Sequence, residues 1–506
     1  MPDNSKSSNI PEPVTVPPMK DKALKGIGAV FLSQAATRVI KLVYQILLAN
    51  FLLQVEMGIV AISDTLLGVL QNLANFGISQ AVIQSREDDE EKLLATGFWM
   101  RFFFGVVTAV VIFIIAPYWA EHNHNSAITD VVRIFALNLV LASAGFAAHT
   151  NFTKHIQFKP IAICQVIATF VSCSAGIIIV ILLPPYQRYW GMVFSGVIFT
   201  VVFSTLIIWK GRNVPLRKFD FRLALGLFGY GKFLFVASIL SVVVNYYDNW
   251  FVSQITGSLS MVGIYYVAYT WGNRVVTDIV HNFSGVLFPA MSRLQSEPER
   301  FRKAYLDTLK YITIIVTPIS LGLLVLAGHF VYGVLGPKWA DAIAPLRIFC
   351  LFAIFRAIGV TNTNALNAAG KAKLLAVIPV LFIALSIAPL ILLTKAYGIA
   401  GTAVALLLTV IVTTSLSSYF ANRTVNAGFR AFWDSVYKPL FCALIMAGFV
   451  YALDAFTMTG YSKVKFILLG LSGAIVYVLA GALLMPETVA EIFSLMKRVI
   501  KKTSSE

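Results

Sequence analysis

The sequence predicts an all-α polytopic membrane protein of about fourteen helices, arranged as two six-helix lobes and a C-terminal helix pair. Three observations predict it. Hydrophobic residues make up 58% of the chain and charged residues only 13%, with a mean hydropathy of +0.78; a soluble domain averages roughly 45–50% apolar and ~25% charged. Basic residues fall in alternate connections between apolar runs. The first twelve runs also divide into two similar sets of six.

Fourteen apolar spans follow in order: 25–51, 56–83, 95–117, 130–151, 160–184, 190–209, 223–252, 262–290, 307–332, 342–368, 372–394, 397–420, 436–455 and 464–485. Each is long enough to cross a bilayer as a helix. No connection exceeds about twenty residues, which leaves no room for a soluble domain. Residues 1–24, rich in Pro, Ser and charge, are expected to form a disordered cytoplasmic tail; they lack the apolar core and small-residue cleavage site of a signal peptide. The first lobe is assigned to 25–209, a cytoplasmic linker to 210–222, the second lobe to 223–420, and helices 13 and 14 to 436–485. The tail 486–506 carries Ile492, Phe493, Met496, Val499 and Ile500 on one side and lysines on the other, the pattern of an interfacial amphipathic helix.

Connections on the side of the N-terminus hold 26 Lys and Arg, from Lys6 to Lys502, against 5 on the opposite side: Arg188, Lys338, Lys395, Lys463 and Lys465. This bias places both termini in the cytoplasm, which requires an even number of spans. It also accounts for a net charge of +16 without nucleic acid. The four cysteines lie in apolar runs with no metal-ligand spacing. The acidic run at 85–92 reads as a solvated loop.

The repeat is legible as five matches in constant order. GIGAVFL from Gly26 matches GYGKFLF from Gly229, MGIVAISD from Met57 matches VGIYYVAY from Val262, and NFGISQAVIQSR from Asn75 matches NFSGVLFPAMSR from Asn282. RIFALNLVLASAGF from Arg133 matches RIFCLFAIFRAIGV from Arg347, and YWGM from Tyr189 matches AYGI from Ala396. Six spans per copy gives both copies the same orientation, related by an axis along the membrane normal, with a substrate path between them.

Span 8 carries the densest polar content. Tyr266, Thr270, Asn273, Thr277 and His281 share one face of a regular helix, and Arg274 and Asp278, four apart, can pair. A charge at bilayer depth costs ~3 kcal/mol on insertion scales, so it normally faces a bundle interior or a watery cavity. The alternative is an Arg–Asp pair that only fixes helix packing. Span 1 carries Gln34, Arg38, Lys41 and Gln45 as a stripe. Span 2 carries Asp64, Gln71 and Asn75, span 7 Ser241, Asn245 and Asp248, and span 10 Arg356, Asn362, Asn364 and Asn367. The repeat mates of Arg38, Arg274 and Arg356 are Ser241, Val69 and Ala142, so these charges belong to one lobe each, which favours function over scaffold. By contrast, Arg86/Arg293 and Arg133/Arg347 recur in both copies and read as anchors.

Candidate substrate-binding residues are therefore Arg38, Lys41, Arg274, Arg356, Gln34, Gln45, Asn273 and His281. Asp64, Asp248 and Asp278 are candidate proton or sodium sites. An excess of deep cations suits an anion, and arginine matches phosphate oxygens in a bidentate fork; a carboxylated sugar would fit too. No Walker loop, HExxH, CxxC or GxSxG motif occurs, so no catalytic residue, metal site or bound cofactor is assigned, and transport is expected to run downhill or on an ion gradient. EHNH at 121–124 is a short external loop with weak metal potential.

Fourteen spans, a six-plus-six repeat and the span 1 stripe resemble the multidrug/oligosaccharidyl-lipid/polysaccharide exporter superfamily. Within it, FGYGKFLFVASILSVVVNYYDNWFVSQITG, the span 8 segment through YLDTLKY, and LGPKWADAIAPLRIFCL resemble the polysaccharide-exporter flippases of lipopolysaccharide, capsule and colanic acid. The resemblance covers about 20–485 and is most specific across 226–350. It implies a V-shaped bundle in the bacterial inner membrane with a central cavity. It also implies translocation of undecaprenyl-pyrophosphate-linked oligosaccharide to the periplasmic leaflet, alongside other polysaccharide assembly proteins. Arginines on spans 1, 2 and 8 line the cavity of related lipid II flippases; Arg38 and Arg274 fit that pattern, whereas span 2 offers Asp64 and no deep arginine. In that branch the two extra helices form a groove for the lipid tail. A drug/cation antiporter of the same superfamily would show acidic excess and usually twelve spans. A polysaccharide polymerase or ligase would carry a large charged external loop, and a scaffold subunit would not need one-lobed buried charges.

Overall fold

The chain is described from a computed structural model, which covers residues 19–75, 77–85, 87, 89–155, 157–211, 218–274, 276–277, 279–280, 291–292, 294–457, 460–491 and 494. Every regular element among them is helical. The first half consists of α1 (Met19–Phe51), α2 (Gln54–Asn75), α3 (Ile78–Gln84), α4 (Glu90–His122), α5 (Ala127–Leu141), α6 (Phe146–Lys154), α7 (Phe158–Leu182) and α8 (Tyr189–Gly211). The second half consists of α9 (Phe221–Thr256), α10 (Leu259–Tyr269), α11 (Pro298–Phe330), α12 (Ile343–Ala368) and α13 (Ala372–Thr424). Helices α14 (Phe429–Phe456) and α15 (Lys463–Leu484) follow and pack on α11. Eight described helices are long and apolar enough to cross a membrane, and a ninth if the bent pair α5–α6 counts as one span. The protein is a multi-pass membrane protein.

Two expected spans are interrupted, each at small residues. Span 2 breaks at Gly77, whose φ of 65° is left-handed, and resumes as α3. Span 4 bends by 53° between α5 and α6, where Gly145 lies against Ser204 of α8 and a Cβ would come within 2.9 Å. Spans 11 and 12 run together as α13, broken at Gly398 with φ 58° and ψ −141°.

The two halves meet along α2 and α10. Gly58 and Gly263, which the repeat pairs, make the closest approach. A Cβ on Gly58 would stand 1.9 Å from the Leu259 carbonyl oxygen, and one on Gly263 would stand 2.0 Å from that of Gln54. Leu259 and Gln54 are themselves repeat mates, so the crossing is reciprocal, as a pseudo-two-fold axis requires. Around it the largest apolar cluster runs from one half into the other, through Leu48, Leu52, Ile59, Val262, Trp271 and Trp339. Ser253 donates to Asn123 Oδ1 across the same boundary at 2.7 Å. This end of the molecule, at the α1–α2 turn, is sealed. At the opposite end the start of α9 rests on α3 and α4, where Ala224 and Leu227 pack with Ile78, Val82 and Leu93. Lys92 there pairs with Asp220 at 2.5 Å, and Lys218 with Glu91 at 3.1 Å.

Of the expected tails, residues 1–18, 492–493 and 495–506 lie outside the described residues, as do 212–217 of the linker.

Candidate functional site

Helix α1 has two exposed faces. Leu32, Val39 and Val43 are exposed on one, an apolar stripe suited to lipid. Lys41 is exposed on the opposite face, and Gln34, Arg38 and Gln45 lie half-buried in line with it. A helix open on both sides borders lipid with one and an internal space with the other, and the polar stripe takes the internal one. Helix α2 contributes a second polar line. Asp64 and Gly68 are half-buried and Gln71 is exposed, all at three- to four-residue steps.

Arg274 joins these two helices from the second half. Arg38 Nη2 lies 3.4 Å from the Arg274 carbonyl oxygen, which links α1 to the end of α10. Asp64 of α2 is close enough to act electrostatically on the Arg274 guanidinium, as are Tyr246, Tyr266 and Tyr269. Arg274 Nη1 donates to Tyr266 Oη at 3.5 Å. Tyr246 is in turn seated on α2 at Gly68, where a Cβ would come within 2.6 Å of its ring. Among the described residues the site thus has Arg38 and Arg274, with Lys41 on the same stripe of α1, against the carboxylate Asp64, with tyrosine hydroxyls beside Arg274. A desolvated guanidinium held by phenol oxygens presents its remaining N–H groups in a fixed fork, the geometry that recognises a phosphate.

The backbone at Arg274 departs from the regular helix that the sequence pattern assumes. Thr270–Arg274 is a π-turn, which adds one residue to the helical repeat. Gly272 permits it by lying against α12, where a Cβ would meet Phe349 Cβ at 2.6 Å. The extra residue turns Arg274 onto the Tyr266 face in place of Asn273. Asn273 is accordingly buried, 2% exposed, against Tyr269 and Thr277, and is not open to a substrate in this conformation. Arg274 pairs with groups from α2, α9 and α10; Asp278 and His281 lie outside the described residues, as does Arg86.

Two further candidates lie within the second half. Arg356 lies over the Phe352 ring at 5.7 Å and faces Asp248 and Tyr269 inside the second half; Tyr269 also neighbours Arg274. Asp248 is 3% exposed, and its Oδ2 accepts a 2.6 Å hydrogen bond from Tyr265. It faces Tyr265 and Arg356 of the second half. Asn362 is fully buried in a network with Tyr305 (2.8 Å), Ser417 (3.0 Å) and Ser418 (2.8 Å), which makes it a packing residue. A polar stripe records only that a face avoids lipid; in α9 and α12 the partners are neighbouring helices of the same half.

Against known proteins, the chain matches the family model described as "Polysaccharide biosynthesis protein" over residues 47–344. The lipopolysaccharide biosynthesis protein WzxC of Escherichia coli (strain K12) is 23% identical over 419 residues, covering 81% of this chain and 83% of its own. The teichuronic acid biosynthesis protein TuaB of Bacillus subtilis (strain 168) is 23% identical over 361 residues, covering 71% and 74%. Among solved structures, the lipid II flippase MurJ in an inward closed conformation superposes with a TM-score of 0.69 at 15% identity, over 91% of this chain and 99% of its own. That likeness is one of fold.

Proposed function

The chain belongs to the polysaccharide biosynthesis protein family, and on that premise we propose that it is a flippase. It moves undecaprenyl-pyrophosphate-linked oligosaccharide from the cytoplasmic to the periplasmic leaflet of the inner membrane, for assembly of a cell-surface polysaccharide. The observation that supports the reading is the approach of Arg38 from one half to Arg274 from the other, with Lys41 one turn along the same stripe of α1 and Asp64 beside Arg274, beneath a seal that closes one end of the bundle.

The positive-inside bias supports placing both termini in the cytoplasm and the sealed end at the periplasm. In this orientation the seal lies on the periplasmic side of the site. The pyrophosphate is held between Arg38, Lys41 and Arg274, with Gln34 and Gln45 of the same stripe toward the glycan. Because the cations come from both halves, a bound anion draws the halves together around the site. Rocking of one half on the other then exposes it to the periplasm. No bond is made or broken. Work against a gradient requires an ion, and the buried Asp248 carboxylate beside Tyr265 and Arg356 is the proton or sodium site this reading favours, with Asp64 the alternative.

The test in cells is surface glycan in a strain lacking the chromosomal copy. Arg274→Ala and Arg38→Ala abolish it at unchanged membrane levels, whereas Arg86→Ala has a smaller effect. Normal surface glycan in both of the first two variants would reduce Arg38 and Arg274 to packing residues.

A further inference from the structure

Helix α1 ends at Phe51, and its last carbonyls have no partner within the helix. The segment 331–342 of the second half supplies the partners. Trp339, fully buried, donates its indole N–H to the Ala49 carbonyl at 2.8 Å. Lys338 Nζ donates to the carbonyls of Asn50 at 2.8 Å and Leu52 at 2.6 Å. Asn50 donates back to the Val334 carbonyl at 2.9 Å, and the Gln54 amide donates to the Lys338 carbonyl. An ammonium and an indole N–H at a helix C-terminus meet both the unsatisfied oxygens and the negative end of the helix dipole. From the first half itself Arg188 joins them, on the Phe51 carbonyl at 3.2 Å.

The segment is shaped for this contact. A π-turn, Val331–Leu335, leads to Gly336 at φ 103° and ψ 154°, and a 3-10 turn, Pro337–Ala342, follows. Nothing lies within 4 Å of a Cβ built on Gly336, so its glycine answers to backbone conformation alone. The far side of the segment is fastened to the helix pair that has no repeat mate. His329, at the end of α11, bonds Asp454 of α14 at 2.9 Å, and Lys465 of α15 pairs with the same Asp454 oxygen at 2.5 Å. The Tyr332 ring stacks on Tyr461 at 4.8 Å, and Gly333 lies against the Ser462–Lys463 backbone.

We propose that segment 331–342 is a latch that holds the two halves closed at this end, with Lys338 and Trp339 as its catch and the α14–α15 pair as its mounting. Helices α14 and α15 thereby set how readily this end opens. The proposal rests on the two halves moving against each other. It deepens the flippase reading by naming what must be released before the site can open on this side.

The test reads opening without any substrate. In a chain whose four cysteines are replaced, Ser253→Cys places one thiol inside the seal, opposite Asn123. Membranes are treated with a small maleimide on both faces, and the labelling rate is followed. The parent labels slowly. Lys338→Met combined with Trp339→Phe raises the rate about tenfold, Asp454→Asn raises it through the mounting, and Lys338→Arg restores it toward the parent. Unchanged labelling in the Lys338→Met/Trp339→Phe chain overturns the proposal. A second variant covers loss of folding in that chain. A disulfide between Asn50→Cys and Val334→Cys should stop glycan export until it is reduced, and export by the cross-linked protein also overturns the latch. Failure of the flippase reading itself would show as a chain that opens normally by labelling yet moves no lipid-linked glycan.

Discussion

A single methyl group at the crossing of α2 and α10 tests whether the two halves separate there. In Gly263→Ala the new carbon would stand 2.0 Å from the Gln54 carbonyl oxygen and 2.9 Å from the Gly58 nitrogen. An ordinary C···O approach is ~3.3 Å, so α10 must retreat from α2 by about 1.3 Å. Both obstacles are backbone atoms and cannot rotate away. Overpacking of this kind costs roughly 1–3 kcal/mol, and the cost applies only while the seal is closed. At ~2 kcal/mol the balance between closed and open shifts by about thirtyfold toward open, since each 1.4 kcal/mol is tenfold. Spin labels on Glu121 and Met261, exposed on either side of the seal, report it as a distance distribution: a long-distance population that is minor in the parent becomes major in the variant. Gly58→Ala, its repeat mate, should do the same. The double variant should shift little further, because one separation relieves both contacts. A Gly263→Ala protein with the parental distribution and parental melting temperature would refute the reasoning, because the crossing would then yield without the halves parting.

Asn362→Leu strands the hydroxyls of Tyr305 and Ser418 in the second half, while Ser417 keeps its bond to the Thr414 carbonyl. At ~1–3 kcal/mol for each buried group left without a partner, a loss of about 3 kcal/mol is expected, read as a lower melting temperature; a parental melt would contradict it. At the opposite end, Lys92 and the Leu223 and Arg222 amides hold the Asp220 carboxyl down to about 2. A depressed carboxylate stabilises the fold above its ordinary value of about 4, and the contribution is lost as pH falls from there toward 2. Asp220→Asn should therefore lower the melting temperature at pH 7 and have little further effect near pH 2, while an equal difference at both would contradict the pairing. Arg274→Lys keeps the charge but not the fork, and should slow transport about tenfold where Arg274→Ala abolishes it; equal rates for Arg and Lys would argue for a simple charge requirement.

Much of the architecture was readable from residue pattern, because bilayer physics imposes it. Apolar run length marks helices, and a repeat with six spans in each copy carries its symmetry into the structure, down to the Gly58–Gly263 crossing. Arg38 and Arg274 stood out for the same reason, since each is a costly charge with no counterpart in the other half; their approach to each other comes from the tertiary fold. Periodicity failed where the helix is not regular. The π-turn at Thr270–Arg274 exchanged the places of Asn273 and Arg274, and a pattern read at 3.6 residues per turn has no term for it; the only local signal is Gly272 within a tight packing site. Asp248 and Asn362 were read on polar faces with no partner assigned. Their partners, Tyr265 and Tyr305, are reached through the tertiary fold. Lys338 was read as one of a few external charges, when it caps α1 from 286 residues away. The signal was the neighbouring Gly-Pro-Lys-Trp, a tryptophan too large and apolar to be spent on a solvent loop.

The account stands on lipid-linked glycan crossing the membrane through the site between the halves. The direct measurement is flipping in proteoliposomes that contain the purified protein and a fluorescent undecaprenyl-pyrophosphate oligosaccharide, with leaflet accessibility followed with and without proton and sodium gradients. The account predicts accelerated flipping that is lost in Arg274→Ala and responds to one of the two gradients. Absence of flipping with every lipid-linked glycan tried, together with gradient-dependent efflux of organic cations, would contradict it and assign the chain to drug transport.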